Sequence, residues 1–140
     1  MTAKEYLNQA YRLDQRINSK IAQVSDLNDL ATKCTFTLTG MPHSPSKASS
    51  PMKKAITKII DLQNEINDDI DRLVDLKAEI ATVIKSVKNP DEQLILRYRY
   101  IHNFTWEQIG NEMYADSRTV RRWHSKALQH VKLPEKPIRI

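Results

Sequence analysis

The sequence predicts an all-α fold: an antiparallel hairpin of two long, coiled-coil-like helices followed by a C-terminal helix-turn-helix domain. Three observations predict it. The 140 residues include only two glycines while 40% are hydrophobic, a composition that disfavours a turn-rich β fold. Two long stretches repeat apolar residues every seven positions, the period of helices that pack side by side. Near the end, Thr105-Trp-Glu-Gln108 places a hydroxyl three residues before an amide, the pattern of a reciprocal helix cap.

The first helix is expected over residues 1–33. Ala3, Ala10, Ile17, Val24 and Ala31 form one seven-spaced row, and Tyr6, Leu13 and Leu27 form a second that Lys20 interrupts. Residues 34–51 hold three of the six prolines and several serines, so they read as a connector that reverses the chain. The long helix follows over 52–88. Ile59, Ile66, Leu73, Ile80 and Val87 make its row, flanked either by Ile56, Ile70 and Ile84 or by Leu62, Leu76 and Val83. With its last connector residue it would be about 55 Å long at about 1.5 Å per residue. The short arm leaves part of that stripe uncovered, so a homodimer is the expected assembly. Asp68, Asp69, Asp71, Asp75 and Glu79 scatter around the polar face and read as solvated surface rather than as a metal or carboxylate site.

The last domain is expected over 89–133, with a basic tail at 134–140. Asn89 caps a new helix, Pro90 takes its first position, and Asp91 and Glu92 lie at the positive end of its dipole. Leu94, Ile95, Tyr98 and Ile101 are its expected packing face, with Arg97 and Arg99 outside. The next helix starts near Trp106 and buries Trp106, Ile109 and Met113, while Gly110 permits a close approach. Tyr114 and Ala115 break the pattern, and Asp116 caps a helix from Ser117 to about Lys132.

On a helical wheel, Ala127, Val131, Trp123 and Leu128 gather around Val120. Arg118, Arg122, Ser125 and Gln129 fall opposite, with Arg121 and Lys126 on the two flanks. Ser117 to Lys132 contains five basic residues and no acidic one, so the charge is not neutralised within the helix. Of the net charge of +5, residues 90–140 supply nine basic against six acidic side chains, whereas 52–89 are balanced at seven each. One cationic helix face suits the major groove of double-stranded DNA, where arginine forks bond base edges and other donors hold phosphate. Arg118 and Arg122 are the expected base readers. Thr105, Ser117, Thr119, Arg121, Ser125 and Lys126 are the expected backbone contacts.

Ile109-Gly110, Ser117-Arg-Thr-Val-Arg-Arg122 and Ala127-Leu128 resemble region four of bacterial sigma factors, and Leu96-Arg-Tyr-Arg-Tyr100 is similar to the helix before it. The likeness covers about the last third of the chain. It implies that Arg118 and Arg122 read bases and that Ser117, Thr119 and Arg121 lie near the backbone. Where that motif often has glycine, this chain has Tyr114; a positive φ there would strain an aromatic residue. Over its full length, with TGMP in a polar loop and KIIDLQNEINDDID on the long helix, the chain resembles phage-encoded ArpU and RinA-type regulators. That likeness implies control of late, packaging or lysis genes in a bacterial host. A small terminase subunit also joins a helix-turn-helix to a coiled coil, and a coiled-coil module docking on RNA polymerase is a third reading. A complete sigma factor is disfavoured because no aromatic-rich segment is present to melt a promoter.

Catalysis finds little support. His43, His102, His124 and His130 show no metal-ligand spacing with each other or with Cys34, and there is no glycine-rich phosphate loop or nucleophile elbow. No metal or cofactor is expected. His124 falls at the edge of the apolar face, and His130 faces solvent or phosphate and carries no assigned role. The lone Cys34 cannot form an internal disulfide, which fits a reducing cytoplasm. No apolar run reaches the roughly twenty residues that span a bilayer, and the first residues alternate in charge too early for a signal peptide, so no membrane association is expected.

Overall fold

In the computed structural model, which describes residues 1–39 and 45–140, all regular structure among those residues is helical. Helix α1 spans Ala3–Thr39, α2 Pro45–Lys85, α3 Pro90–Leu96, α4 Trp106–Met113 and α5 Ser117–Gln129, with a π-helical turn over Arg97–Ile101 between α3 and α4. Residues 40–44, including His43, lie outside the described residues, as do the side chains of residues 34–50, Cys34 included. None of the described helices is long and apolar enough to cross a membrane.

The connector expected over 34–51 is shorter than its composition suggests, because α1 runs to Thr39 and α2 begins at Pro45. Proline is accepted in a first helical turn, where its missing N–H has no partner to lose. Pro51 lies inside α2, where a long helix can forgo one ladder bond.

The chain forms two compact units. One comprises Gln15–Asp71. It buries Ile17, Ala55, Leu62 and Ile66 and leaves Ile56 and Ile70 46% and 41% exposed. Of the two flanks that the periodicity allowed here, the one through Leu62 is the inner one. Asp69 continues that row at seven residues from Leu62 and is buried, which corrects its expected place on the solvated face. Its carboxylate lies 2.6 Å from the ammonium of Lys20, the residue that interrupts the α1 row, and Glu65 adds a contact at 3.9 Å. The two irregularities in the apolar pattern are partners. A charge pair on an apolar seam costs desolvation and fixes which residues face each other.

The second unit joins Met1–Asp14 to Arg72–Ile140. Its core gathers Tyr6, Leu7 and Ala10 from α1, Leu76, Ile80, Val83 and Ile84 from α2, then Val87, Leu96, Tyr100 and Ala127. The Tyr6 hydroxyl donates to Glu79 at 2.6 Å, and burial with that carboxylate raises the phenol pKa. Glu79 is therefore a partner of the core, not free surface. The segment expected as a basic tail is held too. Ile138 N–H donates to the same Glu79 oxygen at 3.1 Å, Gln9 donates to the Ile138 carbonyl at 2.9 Å, and Ile140 N–H donates to Gln9 at 2.9 Å. Leu133, Ile138 and Ile140 pack on the core, so apolar residues outweigh the charges that marked this segment in the sequence.

Asn89 caps α3 as expected, accepting the Asp91 N–H at 2.9 Å, with Pro90 at the helix start. The packing face of α3 differs from the expected one. Glu92, Ile95, Leu96 and Tyr100 are buried, Leu94 is 37% exposed, and Tyr98 stacks on Phe104 at 5.2 Å. A π turn holds more residues than an α turn, so a face counted at about 3.6 residues per turn does not carry through Arg97–Ile101. The buried Glu92 carboxylate has His130 as its partner, its Oε2 lying 2.7 Å from Nδ1. The imidazole is mostly exposed while the carboxylate is not.

Candidate nucleic-acid interface

Helices α4 and α5 are set by their caps. Thr105 Oγ1 accepts the Gln108 N–H at 3.2 Å, and the Gln108 side chain accepts the Thr105 N–H at 2.8 Å. Each satisfies a backbone donor that a helix start leaves open. Asp116 accepts the Thr119 N–H at 2.7 Å to start α5. That bond, with the Arg118 and Arg122 charges nearby, lowers the Asp116 pKa. Between the helices stand Tyr114, Ala115 and Asp116. Tyr114 has φ 55° and ψ 45° and is 97% exposed, so the left-handed turn is present with an aromatic residue in it. Gly110 faces this turn, and a Cβ there would run into the Ala115 carbonyl oxygen. Its small size serves the turn backbone rather than the approach of the second helix.

The apolar side of α5 follows the wheel. Val120 and Ala127 are fully buried, and α5 packs on both α3 and α4. Helix α5 ends at Gln129, so Val131 and Lys132 lie just beyond it. His124, expected at the edge, is buried. Its Nε2 shares a 2.6 Å hydrogen bond with the Tyr100 hydroxyl, and its ring meets Trp106 edge-on at 4.7 Å. Burial, together with the Arg99 and Lys4 charges, lowers the His124 pKa from 6.5 to about 4. Burial likewise pushes Tyr100 up to about 12, against the opposing pull of Arg99. The pair under α5 is therefore uncharged at neutral pH.

The polar side carries the expected residues in separate settings. Arg118 and Arg122 are exposed, and among the described residues no carboxylate lies within 4.0 Å of either guanidinium. Arg121 leans toward Trp106, 5.9 Å from the ring centroid. Lys126 is on the other flank, in a cleft with Trp123, Met113 and the acidic Glu112 and Asp91. Ser125 is exposed, and its hydroxyl donates to the Arg121 carbonyl at 3.1 Å. Ser117 and Thr119 are half-buried at the start of α5, and Thr105 is exposed at the start of α4. Arg99, expected outside the packing face, is held by two contacts. Its Nη1 donates to the Phe104 carbonyl at 3.0 Å, and its guanidinium lies 4.1 Å from the Trp106 ring centroid. Nothing in helical periodicity signals that stacking, since the loop before α4 has to fold first.

Neither the curated proteins nor the solved structures contain a match to the chain. Residues 44–132 match a family described as "Protein of unknown function (DUF722)". That span covers more than half of the chain, from the start of α2 past the end of α5, and the chain belongs to the DUF722 family.

Proposed function

We propose that this chain is a sequence-specific, double-stranded DNA-binding transcriptional regulator of phage or prophage late, packaging or lysis genes, with α5 entering the major groove. One observation carries the DNA reading: α5 presents Arg118, Arg121, Arg122 and Lys126 exposed on a helix without a single acidic residue. Caps at Thr105 and Asp116 fix the flanking turn. An unneutralised cationic face attracts polyanions, and a helix fits the groove where base edges differ. Arg118 and Arg122 read bases; Arg121, Ser117, Thr119, Ser125, Lys126 and Thr105 position the domain on phosphate. The phage setting rests on the sequence resemblance to ArpU and RinA-type regulators. The long helices form an antiparallel arm that pairs two copies; the exposure of Ile56, Ile60 and Ile70 on α2 supports this. Paired helix-turn-helix domains read half-sites about one helical turn apart.

Selection of bound sites from a random duplex pool tests the reading, with a palindromic result expected from a dimer. Arg122→Ala then costs about 1–3 kcal/mol at the selected site and relaxes preference at one base pair. Lys126→Ala weakens all duplexes alike and reduces the salt slope by about one unit. If both variants bind the selected site like the parent chain, α5 is not the reading helix.

A further inference from the structure

We infer that a cleft between the first turns of α1 and the start of α4 holds a phosphodiester of the DNA backbone, which makes α1 part of the nucleic-acid surface. The inference rests on the DNA-binding reading above and adds a contact outside the helix-turn-helix. Arg12, Asn8 and Tyr11 of α1 line the cleft on one side, and Arg99, Asn103 and Thr105 on the other. No carboxylate lines it, and among the described residues none lies within 4.0 Å of the Arg12 or Arg99 guanidinium. Two arginines in an acid-free concavity concentrate positive potential, and a guanidinium fork matches the paired oxygens of a phosphate.

The two arginines differ in freedom, and the difference suits the role. Arg99 is fixed by the Phe104 carbonyl and the Trp106 ring, so little entropy is lost when it bonds an anion. Arg12 is exposed and free to close on a ligand from the α1 side. Asn103 has φ 57°, a conformation that asparagine tolerates better than most residues, and it turns the chain at the cleft edge. Thr105 uses an oxygen lone pair for its cap, leaving the hydroxyl proton available. The positive end of the α4 dipole adds to these donors.

The cleft and the flank of α5 share a neighbour in Trp106. Arg99 and Arg121 both approach the ring of Trp106, at 4.1 and 5.9 Å from its centroid. A backbone strand that meets Arg121 beside the groove therefore has a second anchor within reach. Residues 8–12 and 99–105 are far apart in sequence, and only the packing of α1 in this unit brings them together.

Titration of the full-length chain with its selected duplex and with an unrelated duplex, across a range of salt concentrations, tests the inference. Arg12→Ala, a change at an exposed residue, is expected to weaken both duplexes by roughly tenfold, to lower the salt slope by about one unit, and to leave the ratio between duplexes unchanged. Neutralising single phosphates as methylphosphonates should identify one position that costs the parent chain clearly more affinity than it costs Arg12→Ala, in which only Arg99 remains to hold it. Arg99→Lys keeps the charge and loses the fork, so it should give a smaller loss at the same phosphate, even if Arg99→Ala does not fold. An unchanged salt slope for Arg12→Ala, alongside lost base preference in Arg122→Ala, overturns the inference and leaves the DNA reading standing. Binding of inorganic phosphate to the free parent chain that Arg12→Ala abolishes, with no methylphosphonate position that distinguishes the two proteins, assigns the cleft to a free anion and also overturns it. If the parent chain binds no duplex, the DNA reading fails and takes this inference with it.

Discussion

Acid should loosen the packing beneath α4 and α5, through His124. Its imidazole is buried against Tyr100 and Trp106, and its pKa falls from 6.5 to about 4 in the folded chain. Between those values the unfolded chain takes up a proton that the folded chain refuses, so stability declines as pH drops. Above pH 6.5 both states are neutral and the group contributes no pH dependence; below about 4 both are charged and the loss is complete. The full amplitude is about 3 kcal/mol at about 1.4 kcal/mol per pKa unit. Most of it, about 2 kcal/mol, is spent between about pH 7.5 and about pH 5. Urea unfolding of the full chain at those two pH values measures the loss. Other groups titrate in the same window, so the comparison is with a Tyr100→Phe/His124→Phe double variant, which keeps both rings and removes both polar atoms. The parent chain should lose about 2 kcal/mol more than the double variant over that interval. Equal losses in the two proteins would refute this and show that His124 is not held neutral by burial.

Three further outcomes follow from the same unit and its neighbour. Gly110→Ala drives a methyl into the Ala115 carbonyl, and the overpacking exceeds the gain in helix propensity, for a net cost of about 1–2 kcal/mol; a variant as stable as the parent in denaturant would refute the contact. Tyr114→Gly relieves a left-handed backbone at a side chain 97% exposed and should raise stability by about 0.5–1 kcal/mol after the greater freedom of unfolded glycine is counted; a lower melting temperature would mean that Tyr114 makes a contact of its own. Lys20→Met strands the buried Asp69 carboxylate and should cost about 1–3 kcal/mol, while adding Asp69→Leu should recover most of that. Additive losses in the double variant would contradict their pairing.

The helical class, the caps at Asn89, Thr105 and Asp116, and the burial of Val120 and Ala127 were legible in the sequence. All of these are local. A cap depends on residues two or three positions away, and a helical face on residues three and four apart, so a short window contains the cause. The positive φ at Tyr114 was legible only as a question, since a motif can ask for a turn without showing how this chain makes it.

Other features depended on residues distant in sequence. Lys20 and Asp69 each look like a flaw in an apolar row, and each becomes intelligible only when the other lies 2.6 Å away. Which flank of α2 faces inward, through Leu62 rather than Ile56 and Ile70, was degenerate in the seven-residue repeat and was decided by what α1 presents to it. Glu79, Ile138 and Gln9 form a knot from three parts of the chain, and the charges of the last residues concealed their apolar anchors. The π turn at Arg97–Ile101 moved Tyr98 to Phe104 and left Tyr100 against His124, a shift that a fixed helical period cannot express. The sequence by itself determined the helices, their caps and the cationic side of α5, because backbone hydrogen bonding and side-chain period act over a few residues. The tertiary structure alone decided which charges are paired, which histidine is kept neutral, and that Arg12 stands across a cleft from Arg99, because desolvation and Coulomb interactions depend on neighbours that the chain brings together only by folding.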